Sequence, residues 1–172
     1  KPGMFEYQVQ AEMECEFRKA GSHYNAYPSI VAGGRNACIL HYTENAARLR
    51  DGDLLLIDAG AEYECYAADI SRTFPVNGTF SPEQRALYEI VLASQYAAFE
   101  KCSAGHGWNE PHEAAVAVIA QGLIDEGLLV GSLAEVLERQ TYTQFYMHRT
   151  GHWLGMDVHD VGDYQVENSW RE

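Results

Sequence analysis

The sequence predicts an α+β fold. Helical and extended segments alternate along the chain, and the extended segments read as hairpins, which favours antiparallel strands over a doubly wound parallel sheet. A length of 172 residues with 47% hydrophobic residues is enough for one sizeable core. We therefore interpret residues 1–172 as one domain.

The first element is a helix in "FEYQVQAEMECEFRKAG". Phe5, Val9, Met13 and Phe17 recur every four residues, which is the spacing of one helical face. Gly21 follows at the point where a glycine commonly ends a helix.

Two extended regions come next. "YPSIVAGGRNACILHY" is apolar, and its Gly33-Gly34 pair predicts a turn, since no Lys-Ser/Thr pair follows that would indicate a phosphate loop. "DLLLIDAGAEYECYAADISRTFPV" then predicts two strands folded back on each other.

Helices dominate the following region. "SPEQRALYEIVLASQYAAFEKC" has Ser81 as its cap, Pro82 in its first turn and Gln84 to complete a capping box. "NEPHEAAVAVIAQGLIDEGLL" starts with similar chemistry at Asn109, and "SLAEVLERQ" is a short third helix. "FYMHRTGHWLGMDVHDVG" is rich in glycine and lacks a clean period, so we expect strand and loop there.

Composition narrows the class of protein. The net charge of −13 disfavours nucleic acid as a partner, because an acidic chain repels phosphate backbones. The apolar runs are far too short to span a bilayer, and no basic-then-apolar leader directs secretion. Four cysteines without a CxxC pair indicate free, buried thiols in a reducing cytoplasm. The acidity provides solubility, or it gathers carboxylates around divalent cations.

Asp58 and Asp69 interrupt the predicted hairpin, although aspartate is disfavoured in strands. If the hairpin turns at Tyr63-Glu64, the two aspartates lie directly opposite each other, with Cβ atoms about 5 Å apart. Two carboxylates that close repel unless a proton or a cation lies between them. The pattern therefore indicates a shared metal site. The alternative is a capping or turn role for each aspartate, but neither has a helix start behind it.

The stretch "HRTGHWLGMDVHD" concentrates three of the seven histidines. His148 and His152 have the spacing of a helical HxxxH, but the glycines around them argue against a helix and against a zinc-protease HExxH motif. His159 is followed by Asp160, which can orient its ring. An Asp, Asp and His set suits manganese, cobalt, zinc or iron. The isolated histidines read as ordinary core or surface residues: His23, His106 and His112.

Three strings together carry a specific resemblance: "IVAGGRNACILHYTEN", "LLLIDAGAEYECYAADISRTFPVNGTFSPEQ" and "HWLGMDVHDVG". On these strings the chain resembles, along nearly its whole length, the catalytic domain of the Xaa-Pro aminopeptidase (aminopeptidase P) family. These enzymes are metallopeptidases of the pita-bread fold. The resemblance implies a curved antiparallel sheet with helices on its outer face.

The resemblance also implies chemistry. The family uses two divalent metal ions, usually manganese, to release the N-terminal residue from peptides with proline in second position. Its metals are held by two aspartates, one histidine and two glutamates. The positions that match the metal ligands are Asp58, Asp69 and His152, and those that match the histidines holding substrate and transition state are His41, His148 and His159.

Two parts of the family pattern are not matched. The two glutamate ligands lie, in the family, beyond "NSWRE", and Glu172 does not sit in the expected string. The family's N-terminal domain precedes the first helix. We therefore expect residues 1–172 to be a partial catalytic domain with little activity of its own, and an unpaired sheet edge that favours homo-oligomers.

Two alternatives stay open beside the enzyme. Pita-bread domains also occur as non-catalytic modules that bind peptides or proteins, although such modules usually lose the metal ligands. The related Xaa-Pro dipeptidase (prolidase) differs only in the length of its substrate.

Overall fold

The computed structural model describes residues 1–167 and 169–171 and is α+β, with antiparallel sheets and helices. It consists of two compact units. The first comprises Lys1–Ser81 and Trp153–Val161, and the second comprises Pro82–His152 and the described residues from Gly162 onward. Glu172 lies outside the described residues. The assignment of residues 1–172 to one catalytic domain stays a prediction.

The first helix of the first unit, α1, spans Glu6–Lys19 and confirms the predicted helix. Of the predicted apolar face, Val9 and Met13 pack on the core, whereas Phe5 precedes the helix and is exposed. At its start the Phe5 backbone N–H donates to Oε1 of Gln8 at 2.8 Å. At its end Gly21 has a φ of +98°, and the Ser22 N–H donates to the Phe17 carbonyl at 3.0 Å. The left-handed glycine therefore ends the helix, as the sequence predicts.

Six strands form two antiparallel sheets in the first unit, ordered β1-β4-β5 and β2-β3-β6. Their bounds are β1 Tyr24–Asn25, β2 Ile30–Gly33, β3 Leu54–Ala59, β4 Ala61–Tyr63, β5 Tyr66–Ala67 and β6 Ile70–Pro75. After β2 the chain turns at Gly34, with a φ of +55°, into a 3₁₀ helix over Gly34–Cys38. The core under α1 is formed by Val31, Leu49, Leu55 and Val76, with Val9 and Met13 packed against it.

The hairpin register differs from the sequence prediction. The turn lies at Glu64 and Cys65, with φ values of +49° and +69°, and not at Tyr63-Glu64. Asp58 consequently faces Ser71 rather than Asp69. The predicted direct pairing of Asp58 with Asp69 is therefore wrong, and Asp69 itself lies one residue before β6, outside the paired register. Two left-handed non-glycine residues form a turn that the sequence does not signal.

Gly60 marks the point where this hairpin passes from one sheet to the other. It lies between β3 and β4, opposite the two residues that separate β5 from β6. A Cβ built on Gly60 would lie 1.6 Å from the carbonyl oxygen of Ala68 and 2.4 Å from its carbonyl carbon. The two backbones therefore approach closer than any side chain permits.

The segment Trp153–Val161 contains no strand, so the expectation of strand and loop over "FYMHRTGHWLGMDVHDVG" is half wrong. A backbone hydrogen bond attaches this segment to β5: the Ala67 N–H donates to the Gly155 carbonyl at 2.8 Å. The Asp160 carboxylate accepts from the N–H groups of Met156 at 3.2 Å and Val161 at 2.9 Å.

The second unit is mainly helical, with α2 Pro82–Glu100, α3 Glu110–Asp125, α4 Leu133–Glu138, a 3₁₀ turn at Thr141–Gln144 and a small hairpin of β7 Gln165–Val166 and β8 Ser169–Trp170. Its core contains Ile119, Ala120, Leu123, Leu129 and Val136. The three helices confirm the sequence prediction, while their packing on a sheet stays a prediction. Among the described residues, no helix is long and apolar enough to cross a membrane.

Two local expectations were wrong. The Asn109 side chain does not cap α3 but accepts a hydrogen bond from the Arg149 guanidinium. Instead, Glu110 accepts from the Gly107 N–H at 2.9 Å and so fixes the helix start. The four cysteines are free, as expected, but exposed rather than buried.

Replacing Gly60 by alanine is expected to lower the free energy of unfolding of the chain by more than about 3 kcal/mol, because a backbone carbonyl must move to admit the Cβ. Chemical denaturation followed by circular dichroism measures the change.

Gly151→Ala is the matched control, since a Cβ there meets no atom within 4 Å. We expect it to change the free energy of unfolding by less than about 0.5 kcal/mol. Equal stabilities of the two variants would refute the close approach at Gly60.

Candidate functional site

Asp58 and Asp69 both lie at the kink of the hairpin. Asp58 is the last residue but one of β3, and Asp69 immediately precedes β6. Both are half-buried. The narrow passage at Gly60 therefore fixes the backbone between the two carboxylates.

One phenol hydroxyl joins the two carboxylates. The Tyr27 hydroxyl donates to Oδ1 of Asp58, and it lies 3.0 Å from Oδ1 of Asp69. Two oxygens within hydrogen-bond reach of one hydroxyl are at most about 6 Å apart. The structure therefore brings the two aspartates together, although by a different register from the predicted one.

The charge of this arrangement is unbalanced. Burial and the adjacent carboxylates of Asp58 and Asp69 raise the pKa of Tyr27 far above its ordinary value, so the phenol keeps its proton. A hydroxyl donates its one proton to one acceptor at a time, so Tyr27 does not offset the charge of both carboxylates together. The pair is a set of hard oxygen donors with negative charge to spare, and such a set fits a divalent cation.

A polar network holds Tyr27 in place. Glu14 of α1 accepts hydrogen bonds from Nδ2 of Asn25 at 2.6 Å and from Oγ of Ser29 at 3.0 Å, so the residues two positions before and after Tyr27 are both fastened to the helix. Sequence reasoning missed Tyr27. The one available signal was the following proline, which restrains the tyrosine to an extended backbone without indicating its contacts.

Two predicted site histidines belong to the same unit as the aspartates. His41 follows the 3₁₀ helix in a turn, is exposed and has a φ of +56°. His159 lies in the segment Trp153–Val161 and is also exposed.

His148 and His152 lie in the second unit. The ring of Tyr146 packs edge-on against His148, with centroids 4.8 Å apart, and its hydroxyl contacts Oγ1 of Thr150 at 2.7 Å. Nδ1 of His112 contacts the same Oγ1 at 2.9 Å. His112, which the sequence left as an ordinary residue, is therefore linked to His148 through two side chains; its separation from the cluster in sequence concealed this.

Burial, followed by the positive charge of Arg149 and by His148, lowers the pKa of His112 below its ordinary value. His152 is half-buried and lines a cavity of about 530 Å³ in the second unit, together with His112, Trp108 and Arg149. This cavity has a mixed lining of aromatic, aliphatic and basic side chains.

Within either unit, the described residues contain no group of three or more His, Cys, Asp or Glu side chains placed to hold a metal ion. The convergence of His152 on Asp58 and Asp69 stays a prediction, and so do the roles of His41, His148 and His159.

Comparison with known proteins gives one family. The model of metallopeptidase family M24 matches residues 1–172. A Xaa-Pro aminopeptidase of Haemophilus influenzae is 51% identical over 164 residues, which is 95% of this chain and 38% of that protein.

Solved structures agree with this. Aminopeptidase PepP of Pseudomonas aeruginosa is 61% identical with a TM-score of 0.98, over 99% of this chain and 39% of that one. Zinc-substituted Escherichia coli aminopeptidase P in complex with product is 46% identical with a TM-score of 0.96, over 100% of this chain and 39% of that one. The chain thus spans less than two fifths of the length of these relatives.

The lowered pKa of His112 predicts a pH dependence of stability. The folded chain holds this proton less tightly than the unfolded chain, so the stability contribution is present above the unfolded pKa of about 6.5 and is lost as the pH falls through the lowered folded value. His112→Gln is therefore expected to reduce the loss of stability between neutral and mildly acidic pH, measured by chemical denaturation at each pH.

His23→Gln, which removes an exposed histidine of the first unit, serves as the control and should leave the pH profile of the wild-type chain unchanged. If the stability of His112→Gln depends on pH in the same way as that of the wild-type chain, His112 is not the cause of the loss at acidic pH.

Proposed function

The chain belongs to metallopeptidase family M24 and has the pita-bread fold, and we propose that the whole protein is an aminopeptidase that releases the N-terminal residue from peptides with proline in second position. The observation that carries the proposal is the pair Asp58 and Asp69 on one phenol hydroxyl. It occurs in a chain 61% identical to an aminopeptidase and 51% identical to a protein named for Xaa-Pro cleavage.

In this proposal Asp58, Asp69 and His152 hold divalent metal ions. The oxygen-rich donors around Tyr27 fit such ions, whereas His152 enters from the family resemblance alone. Bound divalent ions supply Lewis acidity and an activated water for amide hydrolysis. Tyr27 lies within hydrogen-bond reach of one oxygen of each carboxylate, which limits how far the two carboxylates can separate before an ion binds.

His41, His148 and His159 are proposed to act on the peptide. An imidazole N–H can donate a hydrogen bond to a peptide carbonyl and strengthen it as negative charge develops on the oxygen. His41 and His159 are exposed and so are accessible to a peptide. Tyr146 and Thr150 restrain the ring of His148 and the segment that follows it.

Manganese is the proposed metal, on the family resemblance. The zinc-substituted Escherichia coli relative supports a site that accepts more than one divalent ion. We also propose a cytoplasmic location, where the four free thiols would stay reduced, and assembly into homo-oligomers. The names of the relatives favour the aminopeptidase over the prolidase and over the non-catalytic binding module.

The test is an assay of the whole protein with manganese and a tripeptide that has proline second. Asp58→Asn is expected to lower kcat/KM about a thousandfold, because metal catalysis contributes several kcal/mol to transition-state stabilisation. Isothermal titration with manganese should show weaker binding in the same variant.

Asp51→Asn is the matched control, because it removes the charge of an exposed aspartate in the first unit and should leave kcat/KM unchanged. A wild-type protein that cleaves only the dipeptide would be a prolidase, and one that binds the tripeptide without cleaving it would be a binding module. Either result would refute the proposal.

The 172-residue chain assayed alone is expected to bind manganese weakly and to turn over peptide far more slowly than about 1 per second. The reason is that the family resemblance implies five metal ligands, of which three match positions in this chain. Turnover by the chain alone at the rate of the whole protein would refute this ligand count.

A further inference from the structure

Glu6, the first residue of α1, is a carboxylate with 0% exposure. It accepts four hydrogen bonds. Oε1 accepts from the Gly33 N–H at 2.7 Å and Nδ2 of Asn36 at 3.0 Å, while Oε2 accepts from the Tyr42 hydroxyl and the Ala47 N–H, both at 2.8 Å. Every donor is remote in sequence and belongs to the segment 33–47.

Burial alone would raise the pKa of Glu6, but the hydrogen bonds from Gly33, Asn36, Ala47 and Tyr42 outweigh it, and the pKa lies below its ordinary value. The side chain is therefore charged. A buried charge of this kind adds little to the free energy of folding, because a well-packed apolar residue in the same place often gives equal or higher stability. Its four directional bonds instead fix the geometry of the segment that donates them.

The donors bracket His41. Gly33 and Asn36 precede it, whereas Tyr42 follows it directly and Ala47 comes five positions later. His41 itself has a φ of +56°, a left-handed conformation that costs a residue with a Cβ about 1–2 kcal/mol and that contacts of the flanking residues stabilise. No strand ladder supports it, since residues 39–46 contain neither helix nor strand.

Tyr42 provides the direct link. Its hydroxyl donates to Glu6 and accepts from Nδ2 of Asn36 at 3.0 Å, and only 7% of the residue is exposed. The residue after His41 is thus locked to α1, while the His41 side chain remains in solvent.

We propose that Glu6 is a positioning residue for His41: the buried carboxylate holds the loop in the left-handed turn that presents the His41 ring to the peptide. The role of His41 in this inference rests on the proposed function, whereas the contacts by which Glu6 holds the loop do not depend on it. The competing account is that Glu6 merely anchors the start of α1, in which case its loss would lower stability without acting through His41.

The kinetic test is a double-mutant cycle in the whole protein, with manganese and a proline-second tripeptide. Glu6→Gln is expected to lower kcat/KM about 10- to 100-fold, as the loss of an orienting partner typically does. The loss should divide between kcat and KM in the same ratio as it does in His41→Ala. Added to His41→Ala, Glu6→Gln should change kcat/KM less than about threefold, because residues that act through each other are not additive. Equal effects in both backgrounds would overturn the proposal.

Tyr42→Phe covers the case in which Glu6→Gln does not fold, since it removes the hydroxyl, with its hydrogen bonds to Glu6 and from Asn36, and retains the ring. We expect about a fivefold loss of kcat/KM that disappears in the His41→Ala background. Val136→Ala, a cavity variant in the core of the second unit, controls for lowered stability and should leave kcat/KM per folded molecule unchanged. A loss in Val136→Ala equal to that in Tyr42→Phe at the same melting temperature would overturn the proposal.

A crystal structure of Tyr42→Phe gives a readout independent of turnover. The proposal expects His41 to leave its left-handed conformation or its ring to occupy several rotamers; an unchanged, single conformation would overturn it. If the wild-type protein cleaves no proline-second peptide, the proposed function fails, and the crystal structure still decides whether Glu6 positions His41.

Discussion

The first unit depends on holding two like charges against one phenol hydroxyl. At about 5 Å and an effective dielectric constant of about 20, two carboxylates repel by about 3 kcal/mol. A flexible loop would relax that repulsion by moving apart. Here Asp58 is built into a central strand, and the close approach at Gly60 fixes the return of the chain to Asp69. Tyr27, buried enough to keep its proton, supplies a hydroxyl donor between them.

Helix α1 supports this arrangement through polar side chains on the face that it turns toward the rest of the unit. Its inward face carries a polar stripe of Glu6, Gln10 and Glu14, spaced four residues apart, beside the apolar contacts of Val9 and Met13. Glu14 fastens the neighbours of Tyr27, Glu6 fastens the loop of His41, and Gln10 accepts from the buried Asn45 at 2.8 Å. Residues that a pattern search would assign to solvent thus connect one helix to both ends of the segment 25–47.

Local signals in the sequence predicted the elements, and contacts between distant residues decided the rest. The period of α1 and the alternation of helices with hairpins were enough for the α+β class, and two aspartates in one predicted hairpin were enough to infer their proximity. The register was not predictable, because Glu64 and Cys65 form a left-handed turn without glycine or asparagine. The contacts of Tyr27 and His112 have no local signal, since their partners lie 31 and 38 positions away. The exposed cysteines show the same limit, because composition does not indicate which face of an element is covered.

Gly60 has a consequence for how sequences of this type diverge. The steric exclusion at this position comes from a backbone carbonyl, so it applies to every other amino acid and does not depend on catalysis. A related sequence with other residues at positions 58 and 69 would still need glycine here in order to fold. Glycine at this position therefore reports on the fold alone, whereas the residues at positions 58 and 69 bear on the chemistry proposed for the site.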